Sequence, residues 1–232
     1  MNIYVVIPAM NEENSIGKVV SSLVERDFTV VVVDDFSSDK TAAIARSSGA
    51  IVLANIKNLG AWRSTQAGIR YAHKFSADVV ITMDADGQHD SEDLQKMIDA
   101  YQQGADVVVG SCTSRGSTGR HIAWSFFKFI NGLRVDDITS GFRLYNREAI
   151  DVLVSRQATM LEYQCVGILL MLRNLRLNVY EVPVNMCERK DGISRIFNSW
   201  NSVIYYLAYS GLLSFSKAFP VKKRSYLNKI KY

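Results

Sequence analysis

The stretch Val79-Val80-Ile81-Thr82-Met83-Asp84-Ala85-Asp86-Gly87-Gln88-His89-Asp90 is an apolar run that stops at two carboxylates one residue apart. Continuous Val and Ile with little alternation suits a strand covered on both faces, as in a largely parallel sheet, rather than one with a wet side. In open sheets of that kind ligands bind just beyond the carboxyl ends of the strands, where Asp84 and Asp86 would lie. Two hard oxygen ligands suit magnesium or manganese, which take one or two carboxylates and complete their shell with substrate phosphates. The expected companion is therefore a nucleotide diphosphate. An EF-hand calcium loop fits poorly, because its sharp-turn Gly belongs at the sixth loop position, where this chain has His89. Asp90 or Ser91 suits a helix cap, with Glu92 and Asp93 in the first turn that follows.

Similar units precede this one. Ile3 to Ile7 is an apolar run ending at Pro8, and from about Glu12 to Arg26 the residues Ile16, Val19, Val20, Leu23 and Val24 recur at helical spacing. Val30 to Val33 leads into Asp34-Asp35, and a helix is expected over about 40–48, closed by Gly49. Ile51 to Ala54 reads as a third strand and about 60–74 as a third helix. Beyond the acidic turn, helices are expected at about 91–102, 121–131, 147–154 and 162–175, and strands at 105–109, 141–145 and 179–184, the last interrupted by Glu181. The Ser, Thr and Gly between Cys112 and Gly119 suggest a loop. Strands alternating with helices imply right-handed crossovers and an α/β architecture. If the sheet is parallel, Pro8-Ala9-Met10-Asn11-Glu12, Asp34-Asp35 and Asp84-x-Asp86 share one edge.

A chain of 232 residues, 48% of them hydrophobic, is long enough for one sizeable domain with a tail. Cys112, Cys165 and Cys187 show no CxxC or metal-ligand spacing, so neither a zinc site nor a disulfide framework is expected. Met1 runs directly into strand-like sequence without a signal segment, which suggests a cytosolic chain. The net charge of +4 is uneven, with six Lys/Arg and no acidic residue from Lys217 onward, leaving 21 basic and 23 acidic side chains in residues 1–216. Residues 196–216 carry no charge and are rich in Tyr, Ser and Asn, with Trp200. We expect an interfacial helix there, held on an anionic leaflet by Lys217, Lys222, Lys223 and Arg224, with a soluble helix packed on the domain as the alternative. Only the basic tail speaks for nucleic acid, and none is expected as a partner; a homo-oligomer is left open.

Ile-Pro-Ala-Met-Asn-Glu-Glu, Val-Val-Asp-Asp-Phe-Ser-Ser-Asp-Lys-Thr, Asp-Ala-Asp-Gly-Gln-His, Asp137-x-Thr139-Ser140-Gly141-Phe142-Arg143 and Arg189-x-x-Gly192-x-Ser194-Arg195 occur in that order. Over about residues 2–195 the chain thereby resembles family 2 glycosyltransferases, most closely the dolichol- or polyprenyl-phosphate sugar synthases. The resemblance implies an A-type glycosyltransferase fold, Rossmann-like, in a catalytic domain over 1–195, followed by a segment 196–232. It also implies a nucleotide-sugar donor and a divalent metal (magnesium or manganese), while the uncharged segment and basic tail lead us to expect a peripheral position on the cytoplasmic membrane face. Carried onto matching positions, it puts Pro8, Ala9, Glu12 and Asp35 around the nucleoside. Asp84, Asp86 and Gln88 fall at the metal and diphosphate, with Ala85 offering backbone contacts. Arg143 and Arg195 match the basic groups near the phosphates, and Arg189 is a weaker candidate. Met10 stands where the family often has Tyr, and Cys112 where Gly-Ser-Arg is common, with Arg115 as a substitute donor contact. Arg195 replaces a frequent Lys.

The expected chemistry is inverting displacement of a nucleoside diphosphate from the anomeric carbon. Asp86, Asp137 and Arg143 are the catalytic candidates. A lipid-phosphate acceptor is already an anionic nucleophile and needs no strong base. A glycan hydroxyl acceptor would need one, from Asp136, Asp137 or Glu162. Whether Asp137 acts as a base or only orders its loop stays open, as does a non-catalytic subunit that merely binds nucleotide sugar.

Overall fold

The structure, a computed structural model, describes residues 1–89, 92–112, 135–161, 166–185, 208, 209 and 211. The expected helix at 121–131 and the segment 196–232, apart from three residues, lie outside that set. Four apolar runs become β1 (Ile3–Ala9), β2 (Thr29–Asp34), β3 (Ile51–Ala54) and β4 (Val79–Thr82), all mutually parallel where they pair. Further along come β5 (Val107–Ser111), β6 (Arg143–Asn146) and β7 (Val179–Pro183), and the seven form one sheet in the order β3-β2-β1-β4-β6-β5-β7.

Burial on both faces explains why these strands read as continuous hydrophobic runs. Along β1, Val5, Ile7 and Ala9 enter one core cluster while Tyr4 and Val6 enter another, and β2 divides Val30 and Val32 from Val31 and Val33 in the same way. The first cluster is closed by α1 (Ile16–Val24), α2 (Thr41–Ser47) and α4 (Asp93–Gln102). The second is closed by α3 (Ala61–Lys74), α5 (Arg147–Leu153), α6 (Arg156–Thr159) and α7 (Val166–Asn174). Each Val or Ile removed from water in this way contributes about 1.5–3 kcal/mol, which makes the three-layer arrangement the favourable one for this pattern.

Strand order reverses between β1 and β4: the chain builds outward through β2 and β3, then α3 carries it over the other face to lay β4 beside β1. The crevice of a doubly wound sheet opens at such a reversal. Here it opens between the ends of β1 and β4.

Three details differ from the sequence expectation. The first helix begins at Ile16 rather than near Glu12, because Glu12–Ser15 forms a turn in which the Glu12 carbonyl accepts from Ser15 N and Ile16 N. β6 is antiparallel to both β4 and β5, a direction that periodicity does not encode. The short α6 was not expected; Ser155 caps it, its Oγ accepting from Ala158 N. Gly49 does close the second helix, at φ +102.

α3 lies close on β1 and β2 because it presents Gly68 to them: an added Cβ would stand 2.4 Å from Val6 Cγ1 and 3.0 Å from Val33 Cγ2. Overpacking of a dense core typically costs about 1–3 kcal/mol, so Gly68→Ala is expected to destabilise by that amount, read as a lower urea midpoint with an unchanged slope. An unchanged midpoint would contradict this packing.

Candidate active site

β1 and β2 deliver their ends side by side, with Pro8 opposite Val33 and Ala9 opposite Asp34. The ladder runs one residue further, where Asp35 N donates to Ala9 O at 2.8 Å, and Asn55 N donates to Asp34 O at 2.9 Å. On the other flank of β1, Met83 N donates to Val6 O at 3.1 Å, after which the chain departs into the acidic turn. Pro8-Ala9, Asp34-Asp35 and Asp84-x-Asp86 thus stand along one sheet edge, with β1 between the two acidic groups.

The loops after β1 and β2 are sewn together. Asn11, at φ +52, donates its backbone N–H to Ser37 Oγ (2.9 Å) and accepts from Ser38 N through its side-chain oxygen (2.9 Å). Glu12 N donates to Thr41 Oγ1 at 2.8 Å, and Glu13 N to Asp39 Oδ2 at 3.2 Å. Asp39 also accepts from the Thr41 hydroxyl and backbone N–H. Burial pushes the Asp39 carboxyl upward, and the bonds from Thr41 and Glu13 outweigh it, holding the group below its ordinary 3.8. Half-buried Glu12 lies in the turn before α1, its Oε2 accepting from Ser15 Oγ at 3.1 Å.

The two aspartates ending β2 have different surroundings. Asp35 is buried and accepts from Leu59 N (2.7 Å), Gly60 N (2.9 Å) and Asn55 Nδ2 (2.9 Å), so it anchors the loop that launches α3. Asp34 is equally buried; one oxygen accepts from Ser37 N at 3.4 Å, and Oδ1 has no hydrogen-bond partner among the described residues. Of the pair, Asp34 is the one with an acceptor to offer, although the sequence singled out Asp35. Adjacent carboxylates on one strand end look alike until their opposite faces are known.

In the acidic turn Asp84 and Asp86 are partly exposed while Ala85 between them is buried. Gly87, at φ +73, makes the bend, and Gln88 N donates to Asp86 Oδ1 at 3.1 Å. His89 is buried with its ring against Phe142, centroids 4.5 Å apart, and its Nε2 is 3.7 Å from Asp84 Oδ2, beyond hydrogen-bond reach. Two accessible carboxylates with hard oxygens fit a magnesium or manganese ion that keeps positions for phosphate oxygens. Among the described residues no cluster of three or more His, Cys, Asp or Glu could hold a metal ion.

β6, running backwards, brings its first residue to this same edge: Arg143 is opposite Thr82 of β4 and Val109 of β5. The preceding turn is fixed by Thr82 Oγ1 donating to Gly141 O (2.7 Å) and Ser140 Oγ donating to Gly110 O (2.6 Å). Asp137 is fully buried, and its Oδ1 accepts from Thr139 N at 3.2 Å and Thr139 Oγ1 at 3.1 Å. Arg143 is also fully buried, donating from Nη2 to Ile138 O at 2.9 Å. Asp136 is exposed. Arg115, Glu162, Arg189 and Arg195 lie outside the described residues. Sequence reasoning passed over Glu181, whose charge on an otherwise apolar strand was the available signal. It also passed over Asn55, which nothing in the local pattern marks.

Residues 4–154 match the family model described as glycosyl transferase family 2. Similar chains include the polyprenol monophosphomannose synthase of Mycolicibacterium smegmatis, 30% identical over 84% of this chain and 81% of that one. The UDP-N-acetylglucosamine–dolichyl-phosphate N-acetylglucosaminyltransferase of Methanococcus voltae is 30% identical over 83% and 88%. Among solved structures, glucosyl-3-phosphoglycerate synthase from Mycobacterium tuberculosis, in complex with Mn2+, UDP-glucose and phosphoglyceric acid, superposes with a TM-score of 0.67. It covers 94% of this chain and 79% of that one at 20% identity, a likeness of fold.

Two outcomes follow from the loop chemistry. Asp35→Ala leaves Leu59 N without its acceptor and Gly60 N with Asn58 Oδ1 alone, and a lost hydrogen bond to a charged group costs about 1.5–3 kcal/mol; a lower denaturation midpoint together with faster amide exchange at 59 checks this. Because the folded-state pKa of Asp39 is depressed, its contribution to stability is present above the ordinary 3.8 and is lost as pH falls through the folded value. Asp39→Ala should therefore be less stable than wild type at neutral pH and should converge on it in strong acid, read from denaturation midpoints across pH.

Proposed function

Since the chain belongs to glycosyl transferase family 2, we propose that it transfers a sugar, with inversion, from a nucleotide-diphosphate sugar to a polyprenyl-phosphate acceptor at the cytoplasmic membrane face. The observation that carries this reading is the meeting of Asp34-Asp35, Pro8-Ala9 and Asp84-x-Asp86 at the strand reversal, in a chain whose similar relatives include a polyprenol monophosphomannose synthase and a dolichyl-phosphate transferase.

In this mechanism Pro8, Ala9 and Glu12 line the nucleoside end, where Asp34 supplies the acceptor for ribose hydroxyls or a base N–H and Asp35 holds the loop at 59–60 beside it. Asp84 and Asp86 hold the divalent cation, with Gln88 as a neutral third ligand and Ala85 offering its backbone to the donor. Bound there, magnesium or manganese supplies Lewis-acid neutralisation of the charge on the departing diphosphate. Arg115 and Arg195 are the cationic groups assigned to the donor phosphates, a task suited to the planar guanidinium, and Arg143, buried and bonded to Ile138 O, is assigned to the transfer step itself. Asp137 orders the turn before β6: its buried carboxylate already accepts from Thr139. An acceptor that arrives as a phosphate anion requires no base, and this favours the lipid phosphate over a glycan hydroxyl. Residues 196–232 are assigned to the membrane surface; among the described residues, no helix is long and apolar enough to cross a bilayer.

A melting screen of UDP, GDP and other nucleoside diphosphates with and without manganese tests the donor half, since a ligand selective for the folded state raises apparent stability by mass action. One base should give a metal-dependent rise, and Asp86→Ala should abolish it. A retained metal-dependent shift in Asp86→Ala would refute the site assignment. Transfer of labelled sugar to a polyprenyl phosphate, and not to the corresponding polyprenol, tests the acceptor.

A further inference from the structure

Glu181 stands on β7 in register with Val109 of β5, which is in register with Arg143 of β6. Residues in one such row project from the same face of the sheet, so a carboxylate and a guanidinium flank Val109. Over that face lies the segment 135–138, with Val135 and Ile138 packed in one cluster with Val109. Glu181 accepts two successive backbone N–H groups of the segment, Asp136 N on Oε2 and Asp137 N on Oε1, each at 2.8 Å. Arg143 donates to its next carbonyl, Ile138 O, at 2.9 Å. Opposite charges from two strands thus hold the donors and the acceptor of one three-residue stretch, and charge-assisted bonds of this length are the strong ones.

We infer that Glu181 is a positioning residue for sugar transfer: it fixes 136–138, and through them the Asp137–Arg143 turn, while leaving donor binding at the β1, β2 and β4 ends to other groups. No local requirement of β7 explains a carboxylate at this position; its bonds go to residues 44 and 45 positions earlier in the chain. The inference rests on the transferase reading for its activity measurement.

The test compares wild type, Glu181→Ala, which removes both acceptors, and Glu181→Gln, which keeps length but sets an amide NH2 against one of the N–H groups. With the nucleotide sugar that the wild type uses, kcat should fall by about 10- to 100-fold, the loss that a small misplacement produces. KM for the donor and metal-dependent binding of the nucleoside diphosphate should stay within a factor of about two, and amides 136 and 137 should exchange faster while those of β1 and β4 do not. Glu181→Gln should fall between the other two, and carries the same readings if Glu181→Ala does not fold. Wild-type kcat in the variants, or nucleotide binding lost in parallel with turnover, overturns the assignment. A wild type that transfers nothing refutes the transferase reading instead.

Discussion

Burial of β1 on both faces is the constraint from which the rest of the architecture follows. A strand whose alternate residues enter two separate cores must have helices above and below it, and helices on both faces require the crossovers to change sides. That change happens once β2 and β3 are laid down, when α3 returns over the opposite face to place β4 beside β1. The crevice is a by-product of the reversal, and the side chains that end β1, β2 and β4 inherit it. A chain with one wet sheet face would have no need of the reversal, and the acidic groups at 34–35 and 84–86 would not share an edge.

Carboxylates serve two purposes along that edge. Asp35, Asp39 and Glu181 accept backbone N–H groups from segments distant in sequence and act as fasteners for the loops. Asp84 and Asp86 keep exposed surface. A negative group engaged by two or three N–H donors is fixed in place and has little capacity left for a ligand. A partly exposed one in a Gly-containing bend retains that capacity. The division explains how a nearly neutral body can concentrate acid at one edge without the loops repelling one another.

Most of the sheet was legible because two-sided burial leaves a strong imprint: Ile3 to Ile7, Val30 to Val33 and Val79 to Ile81 leave no polar residue for water. The direction of β6 was not, since Arg-Leu-Tyr-Asn reads the same in either orientation and its reversal depends on pairing with Thr82 and Val109. The start of α1 was misjudged for a related reason: Glu12 and Glu13 have good helix propensity, but they belong to a loop tied to Thr41 and Asp39, contacts distant in sequence. Motif order located the acidic turn correctly at the sheet edge. It could not divide labour between Asp34 and Asp35, because the partners of Asp35 belong to the loop at 55–60.

The reversed strand also sets how each half of the crevice attracts an anion. α1, α2, α3 and α4 each follow a parallel strand, so their amino termini, with the positive end of the helix macrodipole, face the ligand edge. α5 follows β6 and so begins at the opposite edge. On one side an anion would meet fixed backbone dipoles that no substitution can remove; beside β6, attraction would have to come from ionised side chains. The first kind of attraction tolerates drift in sequence, whereas the second can be retuned, or lost, by a single codon.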